Sequence, residues 1–248
     1  MVRVTPEDRT KARRAAELAV EMCARKTGAG ITGGRLTLDS TVPIGWGMGS
    51  STSDVIAAIK AVCDCYGMRL TPERIARLAV HAERASDSTM IDDRVVLFAH
   101  RSGAVLEVLG CRLPPLVVLG CRAGAAESID TLRLPPVRYT QAELDIFRGL
   151  RISLRRAVAT QDVALIGRVA TASARINQRF LPKPELDLLT ALAPMARAAG
   201  VQIAHSGTVA GIIFDAHLPH LAERIDRCAA VLEREGITDY EIFPLTPR

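Results

Sequence analysis

The chain has 248 residues, 48% of them hydrophobic, with 32 lysines and arginines against 27 acidic residues and a formal net charge of +5. That length can bury a sizeable core, as one large domain or as two small packed ones. The excess charge is scattered arginine without a lysine-rich tail or interleaved aromatics, which argues against a nucleic-acid surface and fits mild attraction for anionic ligands. The charged start, Met1 to Arg9, lacks a signal-peptide core, and no later stretch approaches about eighteen uncharged apolar residues, so a soluble cytoplasmic protein without membrane contact is expected. Cys23, Cys63, Cys65, Cys111, Cys121 and Cys228 show no Cys-x-x-Cys and no paired histidines at zinc spacing. They read as buried free thiols in a reducing compartment.

Ala15, Leu18, Ala19 and Met22 recur at helical spacing between Thr10 and Lys26, and Thr27-Gly28-Ala29-Gly30 ends that helix. The alternation of Arg35 to Asp39 predicts a half-buried strand, which delivers the chain to Pro43-Ile44-Gly45-Trp46-Gly47-Met48-Gly49-Ser50-Ser51-Thr52-Ser53-Asp54. An apolar helix follows to about Tyr66, stopping at Gly67, and Thr71-Pro72-Glu73 opens another through roughly Ala85. Val95–Ala99 and Ala104–Val108 flank His100-Arg101-Ser102-Gly103 as a β-hairpin. Pro114-Pro115 precedes a strand at Leu116–Gly120, and the shift in composition there puts a domain boundary between Cys111 and Leu116, giving domains 1–112 and 113–248. Helices are expected over Gln141–Thr160, Asp162–Arg179 and Glu185–Ala199. Val201–Ala204 and Val209–Phe214 then form a strand pair, Leu218–Glu235 the last helix and Tyr240–Phe243 an edge strand. No repeat or low-complexity tract is present.

The glycine-rich stretch permits positive φ and close backbone approach, its hydroxyls can cap a helix or ligate a metal, and the helix behind it carries a partial positive charge. It reads either as an ordinary capped turn or as a cradle for anions such as nucleotide phosphates. It is neither a Walker loop nor the dinucleotide fingerprint. Phosphoryl transfer to an alcohol would further need a divalent metal and a carboxylate to receive the hydroxyl proton. Glu83-Arg84-Ala85-Ser86-Asp87-Ser88-Thr89-Met90 offers such carboxylates, or is a helix end unwinding through small polar residues. Asp92 and Asp93 are alternative carboxylates, equally explained by a solvated turn.

Pro-x-x-x-Gly-x-Gly-Ser-Ser resembles the phosphate-binding motif of the GHMP kinases, and the fuller stretch from Pro43 to Asp54 is similar to the form found in the L-threonine kinases of cobalamin synthesis. Those kinases carry Glu-Pro-x-Asp-Ser/Gly-Thr at the same distance after the loop; this chain has one more residue between Glu83 and Asp87 and lacks the proline. Val201 to Gly211 resembles their Ala-His-Ser-Gly-Ser/Thr-Val-x-Gly segment, and Leu181-Pro182-Lys183-Pro184 also matches. The resemblance covers about Arg14 to Phe214. Full-length relatives begin with several strands and a Pro-Ala-Ser-x-Gly-Glu-Leu-x-Gln-Gly segment that Met1 to Arg9 does not resemble. An N-terminally truncated chain is therefore expected, with an unpaired edge at the Arg35 to Asp39 strand.

The resemblance implies an α+β, GHMP kinase-type two-domain fold, with a ribosomal S5 domain 2-like first domain and a ferredoxin-like, helix-rich second domain. It implies ATP-dependent phosphorylation of the side-chain hydroxyl of L-threonine or a related small hydroxy amino acid. Gly45, Gly47, Met48, Gly49, Ser50, Ser51 and Thr52 would bind ATP, Ser51 and Glu83 would hold Mg²⁺, and Asp87 would take the proton. His205, Ser206, Gly207 and Thr208 would meet phosphate or substrate, although a small-residue turn between buried strands can be purely structural. Lys183 would pair with a substrate carboxylate or phosphate, or be an exposed lysine at a rigid helix start. The partner is a small molecule, with a homodimer one option for assembly. A kinase for another small alcohol in specialised metabolism, and a silent truncated homologue that binds nucleotide or a partner, are the rival readings.

Overall fold

The alanines spaced along the first predicted helix form the buried face of α1 (Thr10–Thr27) in a computed structural model that describes residues 2–31, 33–40, 49–124, 137–204 and 208–245. Arg25 and Lys26 lie in its last turn, where cations complement the helix dipole, and Gly28 ends it at φ 70°. Before it comes a strand that periodicity alone does not reveal, β1 (Val2–Thr5), which pairs in parallel with β2 (Gly34–Thr37). One edge of the Arg35 strand is therefore occupied, and among the described residues the other edge of this two-stranded sheet has no partner strand. Val2 and Val4 face inward against Ala12, Ala16 and Val20 of α1, while Arg3 and Thr5 face outward. Parallel strands need a crossover, and α1 supplies it.

α2 (Ser50–Cys65) and α3 (Pro72–Glu83) share one core with α1, in which Ala15, Ala19 and Cys23 meet Val55, Ile56 and Ile59 and then Ile75, Ala76 and Ala79. Pro72 stands at the first helical position, where its missing N–H costs nothing. β3 (Val95–Ala99) and β4 (Ala104–Gly110) form a two-stranded sheet. Their turn contains Gly103 at φ 67°, and a Cβ there would lie 3.0 Å from the Ala76 carbonyl oxygen, so glycine is required on both counts. The described residues up to Val108 make one compact unit and those from Leu109 a second.

The second unit is built on an antiparallel sheet in the order β6 (Gly200–Ile203), β7 (Val209–Asp215), β5 (Leu116–Arg122), β8 (Tyr240–Leu245). The register sets Val118 opposite Ile213 on one side and Phe243 on the other. Leu119, Val201, Ile212 and Phe214 pack with Leu186 and Leu189 of α6 (Glu185–Met195) and Leu232 of α7 (Leu221–Arg234). The opposite face, at Leu116, Val118 and Ile213, meets Val163 of α5 (Val163–Asn177). There α5 crosses β6 with glycine against glycine: a Cβ on Gly167 would fall 2.2 Å from the Ala199 backbone, and one on Gly200 would fall 2.2 Å from the Gly167 oxygen. α4 (Gln141–Thr160) opens with a complete capping box between Thr140 and Glu143, and Arg179 closes on Glu143 at 2.6 Å.

Cys23, Cys63, Cys121 and Cys228 are buried free thiols as expected, but Cys65 and Cys111 are exposed. The sulfurs of Cys23 and Cys63 meet at 3.8 Å, and burial and that neighbour push the Cys63 thiol up to about 12. Among the described residues, no helix is long and apolar enough to cross a membrane.

Candidate active site

At the N-terminus of α2, Gly49 occupies the cap position at φ 78° and no side chain caps the helix. The hydroxyls that follow turn instead to α3. Ser51 Oγ donates to Glu83 Oε2 at 3.1 Å, and Thr52 Oγ1 donates to Glu83 Oε1 at 2.9 Å. Both carboxylate oxygens are thus engaged, and Thr52 and Glu83 are 4% and 5% exposed. Glu83 is the last residue of α3 because Arg84 goes left-handed at φ 66°, its N–H bonding Val80 O, which turns the chain back toward α2. Three residues on, the Asp87 N–H reaches Thr52 Oγ1 at 3.4 Å. One hydroxyl therefore ties the Glu83 side chain to the Asp87 backbone.

The Asp87 carboxylate lies against Gly49, and Ser86, 2% exposed, donates its N–H to the His100 carbonyl at 2.9 Å, fastening this turn to the β3–β4 hairpin. Burial raises the pKa of Glu83, opposed by the Thr52 and Ser51 hydrogen bonds and then by the Lys11 charge. Asp87 leaves one side open to solvent, yet the protein around its carboxyl also raises its pKa by desolvation, with His100 pulling the other way. A carboxylate made more basic beside a helix N-terminus is suited to accept a proton close to an anion. In the next turn of α2, buried Asp54 pairs with Arg9 at 3.2 Å.

Residues 12–99 match the GHMP kinases N terminal domain. The chain is similar to homoserine kinase from Cytophaga hutchinsonii, with a TM-score of 0.67 and 17% identity over 100% of this chain and 82% of that one. The chain has the GHMP kinase fold. It is also 34% identical to the L-threonine kinase of Citrobacter freundii over 190 residues, which is 73% of this chain and 62% of that protein. To the L-threonine kinase of Salmonella typhimurium it is 32% identical over 184 residues, 73% of this chain and 60% of that protein. The chain thus spans under two thirds of the length of either relative.

Within the matched residues 12–99, the structure brings Gly49, Ser50, Ser51, Thr52, Glu83 and Asp87 to one place. Gly45, Gly47 and Met48 lie outside the described residues, as do His205, Ser206 and Gly207. Asp92 and Asp93 are exposed, and Asp93 pairs with Arg94 at 3.4 Å. Lys183 and Thr208 belong to the second unit and are each 1% exposed, which removes the reading of Lys183 as an exposed lysine. The Gln178 amide holds the Lys183 backbone from both sides, accepting its N–H and donating to its carbonyl, each at 2.8 Å. Burial lowers the pKa of its ammonium, against the opposing Glu185 charge. Sequence reasoning missed Lys11 and His100, which reach the cluster from α1 and from a hairpin turn and carry no local motif of their own.

Proposed function

We propose that the protein transfers the γ-phosphoryl group of ATP to the side-chain hydroxyl of L-threonine or a related small hydroxy amino acid. The observation that carries this reading is the Asp87 carboxylate set against Gly49 at the N-terminus of α2, a proton acceptor beside an anion-binding helix end. The choice of a hydroxy amino acid is supported by the two L-threonine kinases to which the chain is similar. In this reading 1–112 forms the nucleotide-binding domain and 113–248 the second domain.

The N–H groups of the first turn of α2, with Gly49 and Ser50 at its mouth, hold phosphate oxygens. The Ser51 hydroxyl and Glu83 carboxylate are hard oxygen donors side by side, a set that fits Mg²⁺ completed by phosphates. Ser51 and Glu83 would hold the ion, which would supply positive charge to offset that of the phosphates. Asp87 accepts the proton of the attacking hydroxyl as the new oxygen–phosphorus bond forms and the bond to ADP breaks. Thr52 keeps Asp87 in place through its backbone.

The test is incubation of the protein with ATP, Mg²⁺ and L-threonine, followed by phosphorus NMR and ADP release. O-phosphothreonine is the expected product. Transfer only to sugars or isoprenoid alcohols would overturn the amino-acid assignment, and nucleotide binding without transfer to any alcohol would overturn the kinase.

A further inference from the structure

We propose that Arg9 is a positioning residue for the phosphate-binding end of α2: its guanidinium takes up the charge of the buried Asp54 carboxylate and leaves the helix end free for an anionic ligand. This rests on the reading of that end as the place where ATP phosphates bind.

Asp54 is the fifth residue of α2, one turn behind Ser50 and Ser51, and no acidic side chain stands in the first turn itself. The Cα–Cβ bonds of a helix tilt toward its N-terminus, which carries Asp54 toward the end that Gly49 opens. A bare carboxylate there would draw on the same partial positive charge that a phosphate uses, and would repel the phosphate. The Asp54 side chain is only 9% exposed, so water and salt do little to screen it.

The counter-charge comes from another element and is held ready for it. Arg9 stands between β1 and α1 as the N-cap residue of α1, its N–H bonded to the Pro6 carbonyl at 3.3 Å and its carbonyl accepting from the Arg13 N–H at 3.0 Å. The Leu38 N–H bonds the Thr5 carbonyl at 2.9 Å, which ties the start of this junction to the end of β2. From there Arg9 Nε approaches Asp54 Oδ2 at 3.2 Å, while Nη1 lies 3.8 Å from Asp8, an exposed residue. Nε is buried and makes no aligned hydrogen bond. An ion pair of that kind repays little of the cost of taking two charges out of water, and packed apolar side chains would join α1 to α2 at least as well. What they would not do is set the charge behind the mouth of α2.

The experiment is calorimetry of ATP and of tripolyphosphate binding to the full chain and to Arg9→Met, Asp54→Asn and the double variant, with folding followed by urea titration. Arg9→Met should weaken both ligands about tenfold, because the carboxylate is left uncompensated. Asp54→Asn should bind as well as wild type or more tightly, and adding it to Arg9→Met should restore affinity even if the double variant is less stable. Arg9→Lys keeps the charge and should stay near the wild-type affinity; Arg9→Gln replaces Arg9→Met should the latter not fold. A contact that served only to hold α1 on α2 would lower the urea midpoint and show no such rescue. Equal affinities in wild type and a folded neutral variant overturn the proposal, as does a loss that Asp54→Asn fails to repair, or a wild type that binds neither ligand. Because the readout is binding, a chain that binds ATP yet phosphorylates no alcohol overturns the kinase assignment alone.

Discussion

A Cβ built on Gly49 would stand 3.2 Å from Oδ2 of Asp87, so the cap of α2 and the candidate base share one small space. Gly49 also holds φ 78°, a conformation that costs an alanine roughly 1–2 kcal/mol. Gly49→Ala should therefore lower stability by about that amount in urea titrations, displace the carboxylate and weaken ATP binding. Gly49→Val should abolish nucleotide binding, because a β-branched side chain restricts the loop further. Normal ATP affinity by calorimetry in a folded variant would return this glycine to an ordinary turn.

Asp87→Asn keeps the shape and removes the proton acceptor. Turnover should fall by about 10²–10⁴, on the order of 3–5 kcal/mol, with nucleotide affinity little changed. An unchanged kcat would sink the role of base, and loss of ATP binding with full turnover at saturation would point to a binding role.

Glu83 is predicted to act on stability as well as on the metal. Glu83→Ala leaves two hydroxyl donors without their acceptor and opens a void, a loss of about 2–4 kcal/mol. Glu83→Gln keeps the volume and much of the bonding. Because the pKa of Glu83 is raised on folding, the folded chain binds the proton more tightly than the unfolded chain. Its contribution is complete below the ordinary carboxylate range and is lost as pH rises through the raised value. The urea midpoint of wild type should therefore fall relative to Glu83→Gln across that window and run parallel above it. A wild type that gains on the variant with rising pH would contradict the assigned direction.

Lys183→Met keeps an unbranched side chain of similar length in the buried site. If the ammonium meets the substrate carboxylate, the KM for threonine should rise about 10–100-fold, as expected for loss of a charged hydrogen bond, while kcat and ATP affinity change little. A change in thermal stability with unaltered KM would assign the lysine to the fold alone.

Helical elements were legible because their signals are local: the alanine spacing of α1, Pro72 at the start of α3 and the long apolar periods of α4 and α5 each sit inside one window. β1 was not, since Val2 and Val4 alternate over only four residues and mean little until α1 and β2 are placed beside them. At the site, residue types pointed to Ser51, Glu83 and Asp87, but not to their connections. By type the hydroxyls can cap α2, whereas Gly49 takes that position and frees Ser51 and Thr52 to hold Glu83. That exchange depends on Arg84 turning left-handed, a conformation unusual for arginine and unmarked by any glycine. His100 enters through a hydrogen bond across fourteen residues of chain, beyond any local pattern.

At the crossing of α5 over β6 the closest approach is between backbones, with the Thr171 hydroxyl beside it. Where Gly167 meets Ala199 and Gly200, main chain rests on main chain, so a change there cannot be absorbed by a rotamer and has to move the whole helix. About 15 Å further along α5, at 1.5 Å per residue, the helix ends at Asn177, and the next residue, Gln178, grips the Lys183 backbone with its amide. The helix is thus a stiff lever with its fulcrum at two glycines and a buried ammonium at its far end. A single added methyl at the fulcrum would be felt as a misplaced charge, well away from the substitution itself.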